Sequence, residues 1–96
     1  MNPGDRVARA DDLILAEVDS EAVALSAARG VCYSLNGVGL RILQLMEAPA
    51  RISEICARLV AEYEIDARTC EIEVTDLLAE LEGEGLVAVD RRGQTS

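Results

Sequence analysis

Three cysteines, two tyrosines and no histidine limit the chemistry open to this chain. Cys32, Cys56 and Cys70 are odd in number, lie far apart and show no CxxC pairing, so they predict neither a disulfide framework nor a zinc site. A catalytic thiol needs a neighbouring base, and without histidine none of the three has the usual one. No glycine-rich phosphate loop follows a strand, no nucleophile elbow is present, and the carboxylates fall on helix surfaces rather than in catalytic pairs. The residues predict no enzyme and no cofactor. They leave binding as the activity to look for.

Charge narrows the ligand. The formal net charge is −9, every basic residue is Arg, and no basic run exceeds Arg91-Arg92. Phosphate contacts would have to overcome the protein's own field, which argues against nucleic acid. With no Phe or Trp, stacked aromatics for single-stranded bases are missing too. A basic or neutral peptide suits the field better, because complementary charge speeds encounter.

The chain of 96 residues, half of them apolar, fits one domain with one modest core of Leu, Ile, Val and Ala. Met1 to Arg6 has no apolar signal core, and no stretch approaches the roughly 20 apolar residues of a membrane span. A soluble, cytoplasmic protein with no membrane partner is expected, its thiols buried and reduced.

The elements that must position a binding site follow from periodicity. Leu13–Val18 and Glu21–Ser26 read as strands joined by turn chemistry at Asp19-Ser20. After a break at Arg29-Gly30, Val31–Leu35 alternates, with Cys32 and Ser34 on one face and Val31, Tyr33 and Leu35 on the other. Asn36 is placed to cap a helix carrying Val38, Ile42, Leu45 and Met46 at helical spacing, ending before Pro49, although Gly37 and Gly39 weaken its first turn. A second helix begins at Ile52 with Ile55, Cys56, Leu59 and Val60 on one face and Glu54 in its first turn, and closes near Tyr63. Asp66 caps a third helix running to about Glu82, whose apolar stripe is Cys70, Val74, Leu77, Leu78 and Leu81. Gly83 and Gly85 stop it, and Leu86–Val89 forms a short extended segment. The fold class expected is α+β: a winged helix-turn-helix with a three-stranded N-terminal antiparallel sheet, then three helices and a short C-terminal strand. Residues 1–10 read as a flexible N-terminus, 11–90 as the domain, and 91–96 as a polar tail.

Residues 11 to 90 resemble the PqqD-like proteins. The resemblance is carried by Val31-Cys32-Tyr33-Ser34-Leu35-Asn36, by Gly39-Leu40-Arg41-Ile42-Leu43-Gln44-Leu45-Met46, and by Arg51-Ile52-Ser53-Glu54-Ile55 with Leu59 and Tyr63. It continues through Ile65-Asp66, Cys70, Glu73-Val74, Leu77-Leu78, Leu81 and Gly85-Leu86-Val87. Likeness to this family implies a non-catalytic recognition element that binds the leader of a ribosomally made precursor peptide as an extra antiparallel strand on the third strand, against the third helix. It also implies a partner enzyme to which the peptide is delivered, a leader-cleaving protease in lasso-peptide pathways or a radical SAM protein in cofactor maturation. Overall likeness favours the lasso setting. Two departures stand out: Arg51 replaces a Thr that often caps the second helix, and Leu43 stands near a position often held by a bulky aromatic.

The resemblance and the pattern together predict a site made of Val31, Cys32, Tyr33 and Ser34 on the edge strand, with Cys70, Glu73, Val74, Asp76, Leu77 and Glu80 on the third helix. An edge strand supplies unpaired N–H and C=O groups, while Thr69, Glu73, Asp76 and Glu80 form an acidic flank that can pair with Lys or Arg. Cys32 and Cys70 could line the pocket as small apolar surfaces. Ile72 points away from the stripe and is expected to be exposed. The competing readings are a DNA-binding winged helix, whose recognition helix would carry Arg68 against six carboxylates, and a dimerisation module pairing through the same edge.

Overall fold

The computed structural model describes residues 1–90. It contains strands β1 (Arg6–Arg9), β2 (Leu13–Val18), β3 (Glu21–Ser26) and β4 (Val31–Leu35), then helix α1 (Gly37–Gln44), β5 (Ala50–Arg51), α2 (Ile52–Tyr63), α3 (Ala67–Gly83) and β6 (Val87–Asp90). The strands form two antiparallel three-stranded sheets, ordered β2-β3-β4 and β5-β1-β6. The expected α+β architecture is present: an N-terminal antiparallel sheet, three helices and a last strand.

Asp19 and Ser20 both hold positive φ, 50° and 71°, which is the two-residue turn whose twist matches the β2–β3 hairpin. At the β3–β4 turn, the Asp12 carboxylate accepts from Ser26 Oγ at 2.5 Å and from the Ala28 N–H at 3.2 Å. The Ser26 hydroxyl, above all, holds the Asp12 carboxyl below its ordinary value.

Asn36 caps α1 through its side chain, accepting from the Gly39 N–H at 2.7 Å, and Asp66 caps α3 by accepting from the Thr69 N–H at 3.0 Å. Gly39 is needed where it lies: a Cβ there would stand 3.2 Å from Asn36 Oδ1 and 3.5 Å from a Leu77 methyl. Arg51 provides no side-chain cap to α2. Instead the carbonyls of Asp5 and Pro3 accept from the N–H groups of Ile52 and Ser53, and the Glu54 carboxylate accepts from the Arg51 N–H.

The segment that supplies these carbonyls corrects one expectation. The first ten residues, expected to be a flexible N-terminus, supply the central strand of the second sheet, with Asp5 and Val7 fully buried. Four residues were too short a run to show a strand period. The polar tail, 91–96, lies outside the described residues.

The core is aliphatic, as composition requires. Ile42 and Leu43 of α1 and Met46 just beyond it meet Ile52, Ile55 and Leu59 of α2, Cys70, Val74, Leu78 and Leu81 of α3, and Val7, Leu86 and Val87. Leu43 is fully buried in this core. Each fully buried Leu or Ile stabilises the fold by roughly 1.5–3 kcal/mol relative to exposure. A two-pronged ion pair, Arg41 to Glu62 at 2.7 and 2.8 Å, ties α1 to α2 at the surface.

Candidate functional site

β4 is an edge strand, and its free side can be worked out from the hairpin register. A two-residue turn makes Val18 and Glu21 a hydrogen-bonded pair, and such pairs alternate along β2–β3. The β3 groups that point to β4 are therefore those of Ala22, Ala24 and Ser26, whose partners are Leu35, Tyr33 and Val31. Cys32 and Ser34 are left with their backbone N–H and C=O groups aimed at the open edge.

Beside that edge runs a groove of about 510 Å³ between β4, the start of α1 and α3. Tyr33, Ser34, Leu35 and Asn36 line it from the strand, Val38, Gly39 and Ile42 from α1, and Glu73, Asp76, Leu77 and Glu80 from α3. Apolar surface gathers at Leu35, Val38, Ile42 and Leu77. The carboxylates of Glu73, Asp76 and Glu80 are exposed along the α3 wall, and among the described residues no basic side chain lines the groove. The Tyr33 hydroxyl donates to the Glu80 carboxylate. That bond, chiefly, raises the Tyr33 pKa above the ordinary phenol value, with desolvation and the charges of Glu80 and Glu84 adding to it. Geometry of this kind accepts an extended backbone with alternate side chains turned into the groove.

Of the predicted site residues, Tyr33, Ser34, Glu73, Asp76, Leu77 and Glu80 come together in the groove. Cys32 contributes its edge backbone, while its side chain is exposed on the opposite face of the sheet from Tyr33. Three do not line the groove. Val31 sits at the start of β4, packed against the core. Cys70 and Val74 are buried in the core, with 1% and 0% exposure, because they occupy the centre of the α3 stripe rather than its flank. Leu35, Asn36, Val38, Gly39 and Ile42 were not anticipated as lining residues. The cap at Asn36 and the α1 stripe were visible as helix signals, but only packing places the start of α1 against Leu77.

A second depression, about 440 Å³, lies in the crease between α2 and α3 and is lined by Pro3, Ser53, Cys56, Ala57, Val60, Ala67 and Glu71. Cys70 Sγ donates to the Cys56 carbonyl at 3.9 Å beneath it. Burial first, then the neighbouring Cys70 thiol and the Glu71 charge, pushes the Cys56 thiol up to about 12; burial also raises Cys70. Both stay protonated near neutral pH, so neither is a ready nucleophile. Ile72 is exposed on α3, as expected from its place off the stripe. Among the described residues no His, Cys, Asp or Glu group is arranged to hold a metal ion, and no helix is long and apolar enough to cross a membrane.

Comparison with known proteins agrees with this architecture. The family model of coenzyme PQQ synthesis protein D (PqqD) matches residues 21–87. The structure of TbiB1 in complex with the TbiA(beta) leader peptide is 34% identical, covers 83% of this chain and 93% of its own, and superposes with a TM-score of 0.73. The PqqD truncation of Methylobacterium extorquens PqqCD is a stand-alone recognition element for ribosomally synthesized and post-translationally modified peptides. It shares the fold at a TM-score of 0.78, with 18% identity over 91% of this chain and 93% of its own. Lasso peptide synthetase B1, complexed with the leader peptide, shares it at 0.68, with 20% identity over 85% of this chain and 96% of its own. No curated protein matches the chain. The family match spans most of the domain, and the chain belongs to the PqqD family.

Proposed function

We propose that this domain binds the leader of a ribosomally made precursor peptide as a fourth strand on β4 and presents the peptide to a processing enzyme. The observation that carries the reading is the open β4 edge, with the N–H and C=O groups of Cys32 and Ser34 facing a groove closed on its far side by α3. Backbone bonds would supply affinity, and the apolar patch around Leu77 together with the carboxylates of Glu73, Asp76 and Glu80 would supply selectivity. The complex of TbiB1 with its leader peptide supports the ligand class. As recipient we favour a leader-cleaving protease of a lasso-peptide pathway over a radical SAM enzyme, a preference supported by likeness to lasso peptide synthetase B1. The domain itself would act without catalysis.

The test is binding of labelled TbiA(beta) leader peptide, and of the precursor encoded nearest this gene, by fluorescence anisotropy. Cys32→Pro removes an edge N–H and distorts β4, so it should abolish binding while circular dichroism still reports folded helices. Unchanged affinity in the folded variant would place the peptide elsewhere. Tight retention on heparin or random duplex DNA at low salt would favour the winged-helix DNA reading, and a constitutive dimer paired through Val31–Ser34 would favour the dimerisation reading.

A further inference from the structure

The hydrogen bond from Tyr33 to Glu80 joins β4 to α3 across the groove that both residues line. Tyr33 is on the inward-facing set of β4, and Glu80 sits on the exposed flank of α3, clear of the buried stripe. To reach it, the phenol must extend from the strand across the groove mouth. A fourth strand bonded to Cys32 and Ser34 would place one residue directly opposite Tyr33 in a pair without hydrogen bonds, where side chains approach most closely, at about 4.5 Å between Cα atoms. That residue and the Tyr33–Glu80 bond compete for the same volume.

Resting on the peptide-binding reading above, we infer that Tyr33 and Glu80 form a clasp which the incoming strand must open, and that Glu80, once released, is a specificity-determining residue. Opening releases the Glu80 carboxylate from its donor. A peptide whose residue opposite Tyr33 brings its own donor, a hydroxyl, amide or cationic side chain, replaces the lost bond. One with Ala there does not, and binds more weakly. The phenol thus acts as a competitor that every peptide must displace, and the freed Glu80 carboxylate favours those that satisfy it.

The composition provides a reporter, because the chain has two tyrosines and no tryptophan. In a Tyr63→Phe background, which alters an exposed ring outside the groove, Tyr33 is the sole intrinsic fluorophore. A carboxylate acceptor quenches phenol emission, so Glu80→Gln should brighten the empty protein; unchanged emission would overturn the clasp. Displayed random dodecapeptides selected on this protein should be rich in donor side chains at the position opposite Tyr33. Glu80→Ala should lose that preference, while Tyr33→Phe should keep it and bind the selected and the alanine-substituted peptides alike about three- to tenfold more tightly, the size of one exposed hydrogen bond. A Glu80→Ala protein that keeps the preference, or Tyr33→Phe affinities equal to the parent's, would sink the selective clasp even where the emission reports a bond. If no protein enriches any peptide, the peptide-binding reading fails and the selective role of Glu80 fails with it, while the emission of Glu80→Gln still reports whether the bond exists.

Discussion

The two depressions beside α3 are similar in size and differ in kind. The crease against α2 holds about 440 Å³ and is lined by the half-buried Cys56, with small apolar side chains such as Ala57, Val60 and Ala67 around it. The groove against β4 holds about 510 Å³, is rimmed by carboxylates, and adjoins backbone groups with no partner strand. By hydrophobicity alone the crease would be the binding site. Backbone accounting reverses the choice: the helices flanking the crease satisfy their own N–H and C=O groups, whereas an edge strand offers a row of them to a newcomer. An apolar dent between packed helices is a product of side-chain size, and an open strand edge is a template.

That contrast is broken most directly by placing the same charge in each depression. Leu77→Asp would bury a carboxylate against the peptide's apolar side chain and should weaken leader binding by roughly thirtyfold or more. Ala57→Asp in the crease should leave the affinity unchanged in the same titration. Equal losses would mean that the crease, or the helix pair as a whole, takes part in recognition.

Thiol reactivity sharpens the contrast at the level of local environment. Cys32 is exposed on the sheet, while burial holds Cys56 and Cys70 protonated, the Cys70 thiol adding to the effect on Cys56. Iodoacetamide at pH 8 should modify Cys32 first, with the other two at least about tenfold slower until the protein unfolds. Mass spectrometry of quenched time points would read the order. Early labelling of Cys56 would mean that the crease opens readily.

The smallest effect belongs to the acidic rim. Glu73 and Asp76 are exposed, so their pairing with a basic leader is screened by water and salt. Reversing both to Lys should weaken a basic leader by no more than about threefold at physiological salt, and the difference should vanish as salt rises. A loss much larger than that would mean the peptide covers and desolvates the rim.

Much of the fold was legible because its signals are local. The β2–β3 turn at Asp19-Ser20, the caps at Asn36 and Asp66, and the α3 stripe all fall where the pattern put them. β1 and β5 were missed, since strands of four and two residues carry almost no periodicity and exist only because β1 pairs with β5 on one side and β6 on the other. The candidate site divides along the same line. The acidic flank of α3 was visible from helical spacing, but Cys70 and Val74, also expected at the site, belong to the inward-facing stripe, and their burial removes them. Val38 and Ile42 reach the groove only through the way the start of α1 packs beside Leu77.

By itself the sequence determined an aliphatic core, a strongly acidic surface without histidine, and the alternation that gives β4 two distinct faces, because composition and short-range periodicity are properties of the chain before it folds. Only the tertiary structure decided that β4 lies at an edge, that Cys32 and Ser34 are the residues whose backbone groups point off it, and that Tyr33 spans the groove to Glu80. Edges and grooves are made by what fails to pack against an element, and that is settled when the other elements have found their places.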